Sequence, residues 1–258
     1  MDMDIIVGVQ GLKKGANINS IEVPAKLRER RKVGIEWIDD ALGGDGFVPS
    51  SVMMLTGTPG VGKTTLLLQL ADAITAAGHI CLYNTGEESL YQVKMVTERL
   101  STKNGFVCGQ DTMVPKLLAH ADWLRKQNPN KQVFILQDSL QTLDDGKYVD
   151  KDGSSRGTNG GTPLRAVCEL TKWAKATYGV VVFIGQVNKN GDFNGKNGIL
   201  HAVDTRARFY FDDQKNSETY GERIFEVTKN RFGCNGRSYI LGMGSAGLFE
   251  KGNFQKGS

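Results

Sequence analysis

The chain has 258 residues, 40% of them hydrophobic and 23% charged, with a net charge of +4, which suits one full-sized folded domain and excludes a disordered or fibrous chain. Its four cysteines (Cys81, Cys108, Cys168, Cys234) are scattered without a CxxC pair, a pattern that excludes a local zinc-ribbon site and suits reduced thiols. No apolar run approaches the roughly 18 residues of a membrane helix, and acids stand at Asp2 and Asp4 where a secretion signal carries bases, so a cytoplasmic protein without membrane contact is expected.

Taken in chain order, residues 1–32 read as an arm or linker. Gly11 to Ser20 is polar, and a short basic run follows (Lys26, Arg28, Arg30, Arg31, Lys32). Such a run serves equally as a solvated linker or as a contact to DNA or a neighbouring subunit. A regular core is expected over residues 33–250. Ile35, Ile38 and Leu42 at helical spacing, with Gly43-Gly44 behind them, predict a short amphipathic helix. Strands then alternate with helices. Strands are predicted over Val52–Thr56, His79–Tyr83, Gln132–Leu136 and Val180–Gly185. Helices are predicted over Lys63–Ala77, Ser89–Leu100, Val114–Gln127 and Pro163–Thr177. The alternation argues an α/β fold with a mostly parallel central sheet flanked by helices. After Val203 the rhythm changes. Ala207–Phe211, Arg223–Lys229 and Arg237–Leu241 are strand-like runs with no helix between them, and they predict a C-terminal antiparallel extension. Residues 251–258 read as a flexible tail. Two long glycine-rich loops, Asp144–Thr162 and Val187–Gly198, stand inside the domain, where such loops carry function or disorder.

The chemistry begins at Gly57-Thr58-Pro59-Gly60-Val61-Gly62-Lys63-Thr64, with Thr65 behind it, a phosphate-binding loop between a predicted strand and a predicted helix. Its glycines let backbone N–H groups turn inward on anionic oxygens at a helix N-terminus. Lys63 is placed to reach the β- and γ-phosphates of a nucleoside triphosphate, and the Thr64 hydroxyl to hold Mg²⁺. Asp138 closes the apolar run Val133 to Gln137 and is the candidate second carboxylate for the metal. Thr85-Gly86-Glu87-Glu88-Ser89 follows the second core strand. Glu87 is the candidate base for an attacking water, whereas Glu88 reads as an N-terminal charge on the next helix. Gln186 follows the strand ending at Gly185 and opens the second loop, where a neutral amide can sense the γ-phosphate.

In this order GTPGVGKTT, NTGEES, ILQDSLQTL, the glutamine-led loop and Lys229-Asn230-Arg231-Phe232-Gly233 resemble RadA/Sms, a branch of the RecA-like ATPases. The resemblance runs from about Val33 to Glu250, and KNRFG is its most specific element. It implies a RecA-like ATPase core that uses ATP and Mg²⁺ and forms a ring, a hexamer in that family. It further implies single-stranded DNA as partner, a branch-migration motor in recombination and repair, and a RecA-type recombinase as a further partner. Lys63, Thr64, Asp138 and Glu87 keep the roles given above, and Lys229 and Arg231 are implied to act on the neighbouring subunit's nucleotide. On residues alone, these two could also be a pair of exposed strand charges on one face. The two long loops correspond to the DNA-lining loops, with Lys147, Lys151, Arg156, Lys189 and Lys196 as phosphate contacts. The family's four-cysteine zinc module and its Lon-like C-terminal domain have no counterpart in this sequence, and Gln186 stands where that family has histidine. A strand-exchange filament and a KaiC-like regulatory ATPase without a DNA role stay open beside the ring motor.

Overall fold

The computed structural model describes residues 15, 17–148, 157–186, 197–233 and 237–255. Among these, nine strands form one sheet in the order β3-β2-β4-β5-β1-β6-β7-β8-β9. The parallel part comprises β1 (Val52–Gly57), β2 (Ile80–Thr85), β3 (Val107–Gly109), β4 (Val133–Asp138), β5 (Val180–Gly185) and β6 (Thr205–Phe211). β4 and β5 are buried at every position, the signature of strands covered on both faces. β7 (Arg223–Asn230), β8 (Arg237–Gly244) and β9 (Gly247–Gln255) continue the sheet antiparallel from β6.

The strand period of two sorts the core into two layers. Met53, Leu55, Tyr83, Phe134, Leu136 and Ile184 face one side, with α2 (Glu36–Ala41) and α3 (Lys63–Ala76). Val52, Met54, Leu82, Ile135, Val181 and Phe183 face the other, with α5 (Val114–Gln127) and α6 (Thr162–Thr177). α4 (Leu90–Arg99) opens on a capping box in which Ser89 and Gln92 satisfy each other's backbone N–H groups. The alternating, mostly parallel core stands as expected, and the antiparallel extension stands for its last two runs; the first, Ala207–Phe211, instead falls in β6, which pairs parallel with β1.

Several local expectations change. Glu88 lies ahead of the Ser89 cap and outside α4, so it is not a first-turn helix charge. Its amide instead bonds the Thr85 hydroxyl at 3.2 Å. Residues 251–255, expected in a loose tail, complete β9, and 252–255 pair with Arg237 to Ile240 of β8. The end of the expected arm joins the core too, because Arg31 and Phe47 exchange backbone hydrogen bonds of 2.8 and 2.9 Å. Two short elements carry no periodic signal: β3, and α7 (Asn197–Ala202), which falls at the end of an expected loop. The first long loop begins as anchored chain, since buried Asp145 receives Arg165 and Asp144 bridges Met113. Among the described residues, no helix is long and apolar enough to cross a membrane.

Candidate active site

Every parallel strand of the core delivers its C-terminal end to the same edge, where open α/β sheets place their ligands. From β1 the chain turns through the phosphate loop into α3. Gly62 takes φ 110° at the N-cap, and a Cβ there would lie 2.7 Å from Met243 Cε. Gly57 is tighter still, since a Cβ would fall on the Phe209 carbonyl. At these two positions backbone geometry and close approach demand glycine. The loop floors a cleft of about 640 Å³ lined by Gly57, Pro59, Gly60, Gly62, Lys63, Thr64, Thr65, Glu87, Asp138, Ile184, Gln186 and Met243.

Within the cleft Lys63 Nζ donates to the carbonyls of Gly57 and Thr58, each at 2.9 Å, folded back on the loop that it serves. Burial lowers its pKa, and Asp138 and Glu87 partly offset that by attraction. Thr64 Oγ1 donates to Asp138 Oδ2 at 2.7 Å. A hydroxyl and a carboxylate are the hard oxygen donors that Mg²⁺ takes, so the residues present fit that ion. Asp138 is buried at the end of β4. Burial raises its pKa, the Thr64 bond opposes the rise, and neighbouring Glu87 adds to it. The Tyr83 hydroxyl also donates to Asp138 Oδ2, at 3.3 Å.

Glu87 stands at the exposed rim. Its Oε1 accepts from Ser139 Oγ and, at 3.2 Å, from Gln186 Nε2. Three strand ends thus meet on one carboxylate: Glu87 after β2, Ser139 after β4 and Gln186 after β5. Gln141 extends the contact by accepting the Gln186 amide at 3.4 Å. A carboxylate held this way beside a phosphate loop can orient and deprotonate water.

No protein-family profile matches the chain. Curated sequences do. The DNA repair protein RadA of Bacillus subtilis (strain 168) is 33% identical over 243 residues, covering 94% of this chain and 49% of that protein. RadA of Aquifex aeolicus (strain VF5) is 34% identical over 224 residues, 86% of this chain and 46% of that one. Over most of its length the chain is RadA-like. It spans about half the length of the curated relatives it matches. Among solved structures, an isolated ATPase domain superposes with a TM-score of 0.69 at 17% identity, covering 82% of this chain and 87% of that one. A DnaB-like replicative helicase solved for its interactions with primase gives 0.68 at 16%, covering 84% and 61%. At such identities the structures support the RecA-like fold and nothing finer.

In the RadA-like chain Lys229 and Arg231 stand apart from the cleft. Asn230 pairs with Thr205, and Thr205 with Met53, at the N-terminal end of β1. Gly57 lies four residues along that strand, about 13 Å at a β-strand's rise. Lys229 Nζ donates to the carbonyls of Leu200 (3.0 Å) and Val203 (2.7 Å), where a cation suits the C-terminus of α7. Burial and neighbouring Arg231 lower its pKa, and Asp204 opposes them. Arg231 Nη1 pairs with Asp204 Oδ1 at 2.8 Å. Neither is a free strand charge.

Of the residues expected to meet DNA, Lys151, Arg156, Lys189 and Lys196 lie outside the described residues. Lys147 is described, and its ammonium pairs with Glu169 at 3.0 Å while staying half exposed. Sequence reasoning missed Ser139, Tyr83 and Met243. Ser139 follows Asp138 directly and has a weak signal in the strand-end position. Met243 reaches the cleft only through the antiparallel extension, and no local pattern marks it.

Proposed function

We propose that this chain is an ATP-driven, single-stranded-DNA-bound motor of the RadA type that works as a ring, in DNA repair and homologous recombination. The observation that carries this reading is a division of labour along β1. Binding and water-activating groups (Lys63, Thr64, Asp138, Glu87, Gln186) collect at its C-terminal end. The two cations of KNRFG sit at its N-terminal end, out of reach of their own subunit's phosphates.

Triphosphate hydrolysis spreads negative charge over the γ-oxygens, and a cation delivered there by a neighbour is worth roughly 10³–10⁵ in rate. In this proposal the phosphate-loop amides and Lys63 hold the β- and γ-phosphates, and Thr64 and Asp138 hold Mg²⁺. Held there, the ion would supply positive charge to offset the negative charge that develops on the phosphate oxygens. Glu87, tethered by Ser139, takes a proton from water, and Gln186 reports loss of the γ-phosphate to the loop that follows it. Lys229 and Arg231 serve the next subunit's triphosphate. Repeated head-to-tail, such an interface closes into a ring or climbs as a filament. The RadA names of the relatives support the repair role, and the loop lysines support a DNA contact that is salt-sensitive and indifferent to sequence.

The test is turnover as a function of protein concentration, with and without single-stranded DNA, alongside electron micrographs of the same samples. Turnover that rises with assembly and with DNA, and falls steeply with salt in the DNA arm, is expected, with closed rings in the images. Full turnover in dilute monomers that ignore DNA sinks the proposal, and filaments replace the ring by the strand-exchange reading.

A further inference from the structure

The Arg231 side chain is 48% exposed, whereas the carboxylate that it touches is almost wholly buried: Asp204 is 2% exposed at its side chain. Asp204 stands between α7 and β6, and each of its polar groups has a defined partner. Oδ1 accepts from Arg231 Nη1 at 2.8 Å, and Oδ2 accepts from the Val52 amide at 3.1 Å. Its own amide donates to the Val52 carbonyl at 2.9 Å, and its carbonyl accepts from the Arg231 amide at 3.0 Å. Four hydrogen bonds therefore tie one residue of the KNRFG segment, backbone and side chain, to the first residue of β1.

We propose that Asp204 is a positioning residue for hydrolysis at the neighbouring subunit, which aims the Arg231 guanidinium outward from a fixed point at the foot of β1. The inference rests on the inter-subunit reading of Arg231 given above. A guanidinium has five donors in a rigid fork. Bonding one nitrogen to a buried carboxylate sets the plane of that fork and leaves the half-exposed part to meet phosphate oxygens. Without the anchor, a long side chain at a subunit seam samples many rotamers, and holding it costs entropy at each encounter. The placement also connects successive sites mechanically. β1 has the phosphate loop at one end and the Asp204–Arg231 clamp at the other, so a shift of this strand on nucleotide binding moves the cation offered to the next subunit.

Asp204→Asn separates the two bonds. Its carbonyl oxygen still accepts the Val52 amide, while its NH₂ group faces the guanidinium, donor against donor. Expected alone are a turnover about 10- to 100-fold down, as misplacement of a catalytic group gives, and an unchanged affinity for a fluorescent ATP analogue. The deciding measurement is turnover in mixtures of full-length variants that have been dissociated and reassembled. Lys63→Ala subunits lack a working nucleotide site and keep Arg231 and Asp204. Mixed with D204N, they supply an aimed arginine to intact nucleotide sites at about a quarter of the seams of a random head-to-tail assembly, and turnover returns accordingly. A mixture no more active than D204N alone places the defect in the variant's own nucleotide site and overturns the proposal, as does wild-type turnover by D204N itself. Arg231→Ala mixed with Lys63→Ala is the companion. Failure to recover there removes the inter-subunit reading, whereas recovery there without recovery for D204N removes only the role of Asp204. Should D204N not fold, Asp204→Glu keeps the charge and displaces it by one methylene, and the same mixing outcomes decide.

Discussion

Glu87→Gln is the sharpest perturbation that the cleft allows. Two donors, Ser139 Oγ and Gln186 Nε2, converge on Glu87 Oε1, which leaves Oε2 as the oxygen to face an attacking water. Glutamine has the same length and keeps one carbonyl oxygen for those donors, so the rim geometry survives. The amide that replaces Oε2 cannot take a proton. General-base catalysis contributes about 10²–10⁴ in rate, which corresponds to about 3–5 kcal/mol of barrier. Turnover is expected to fall by that factor at saturating ATP, because nothing that holds the phosphates has changed. The measurement pairs steady-state phosphate release with titration of a fluorescent ATP analogue. Ser139→Ala is the internal control. It removes one hydrogen bond to a charged acceptor, worth about 1.5–3 kcal/mol at most, and leaves the base in place, so its effect on turnover is the smaller. Turnover by E87Q within about threefold of wild type would refute the assignment, since a lost transition-state interaction must lower kcat and kcat/KM together. A larger loss for S139A than for E87Q would equally overturn the order of roles.

Three further outcomes follow from the same geometry. Lys63→Ala removes the ammonium that Gly57 and Thr58 hold in the loop; analogue affinity is expected to drop at least about tenfold, with phosphate release at background. The lowered pKa of Lys63 sets an alkaline limit on binding. A bound triphosphate favours the ammonium, so binding takes up a proton above the free-state value, and affinity falls by up to about tenfold per pH unit as pH climbs toward the ordinary lysine value of 10.5. Binding titrations across that range in wild type, flat if Lys63 keeps its charge, check it. Asp145→Asn breaks the two-bond contact with Arg165 that anchors the first long loop. A cost of about 2 kcal/mol is expected, less than for a fully buried pair because Arg165 reaches the surface. That lowers Tm by about 4–8 °C for a domain of this size.

The same carboxylate has a pH signature. Burial alone would raise the pKa of Asp145, but the Arg165 hydrogen bond and the Lys147 amide outweigh it and hold the pKa below the ordinary 3.8. A depressed folded value means that the unfolded chain binds more protons in that window, so the contribution to stability is complete above 3.8. It is lost as pH falls through the folded value. The Tm difference between wild type and Asp145→Asn should therefore persist at neutral pH and close in strong acid.

Much of this protein could be read along the chain. The phosphate loop needs eight consecutive residues between a strand and a helix, all of them local, and Gly57, Gly62, Lys63 and Thr64 stand where the spacing puts them. The buried parallel strands announce themselves as unbroken apolar runs, and β6 as an alternating one. The pairing of Thr64 with Asp138 follows from the acid's place at the end of β4. Periodicity does not show β3, because three residues are too few for a period, and it does not show α7, which starts inside the second glycine-rich loop. It also missed the final turn of chain into β9, whose edge position relaxes the apolar pattern.

What only the tertiary structure decided is who meets whom across the sheet. Strand order and register are set by packing between residues far apart in sequence. That packing brings Glu87, Ser139 and Gln186 onto one oxygen and Met243 over Gly62. The same register separates Lys229 and Arg231 from their own phosphate loop by the length of β1 and seats Arg231 on Asp204. Local sequence determines which backbone conformations and which chemical groups are present. The distances between those groups follow from the non-local burial of two apolar layers on either side of the sheet.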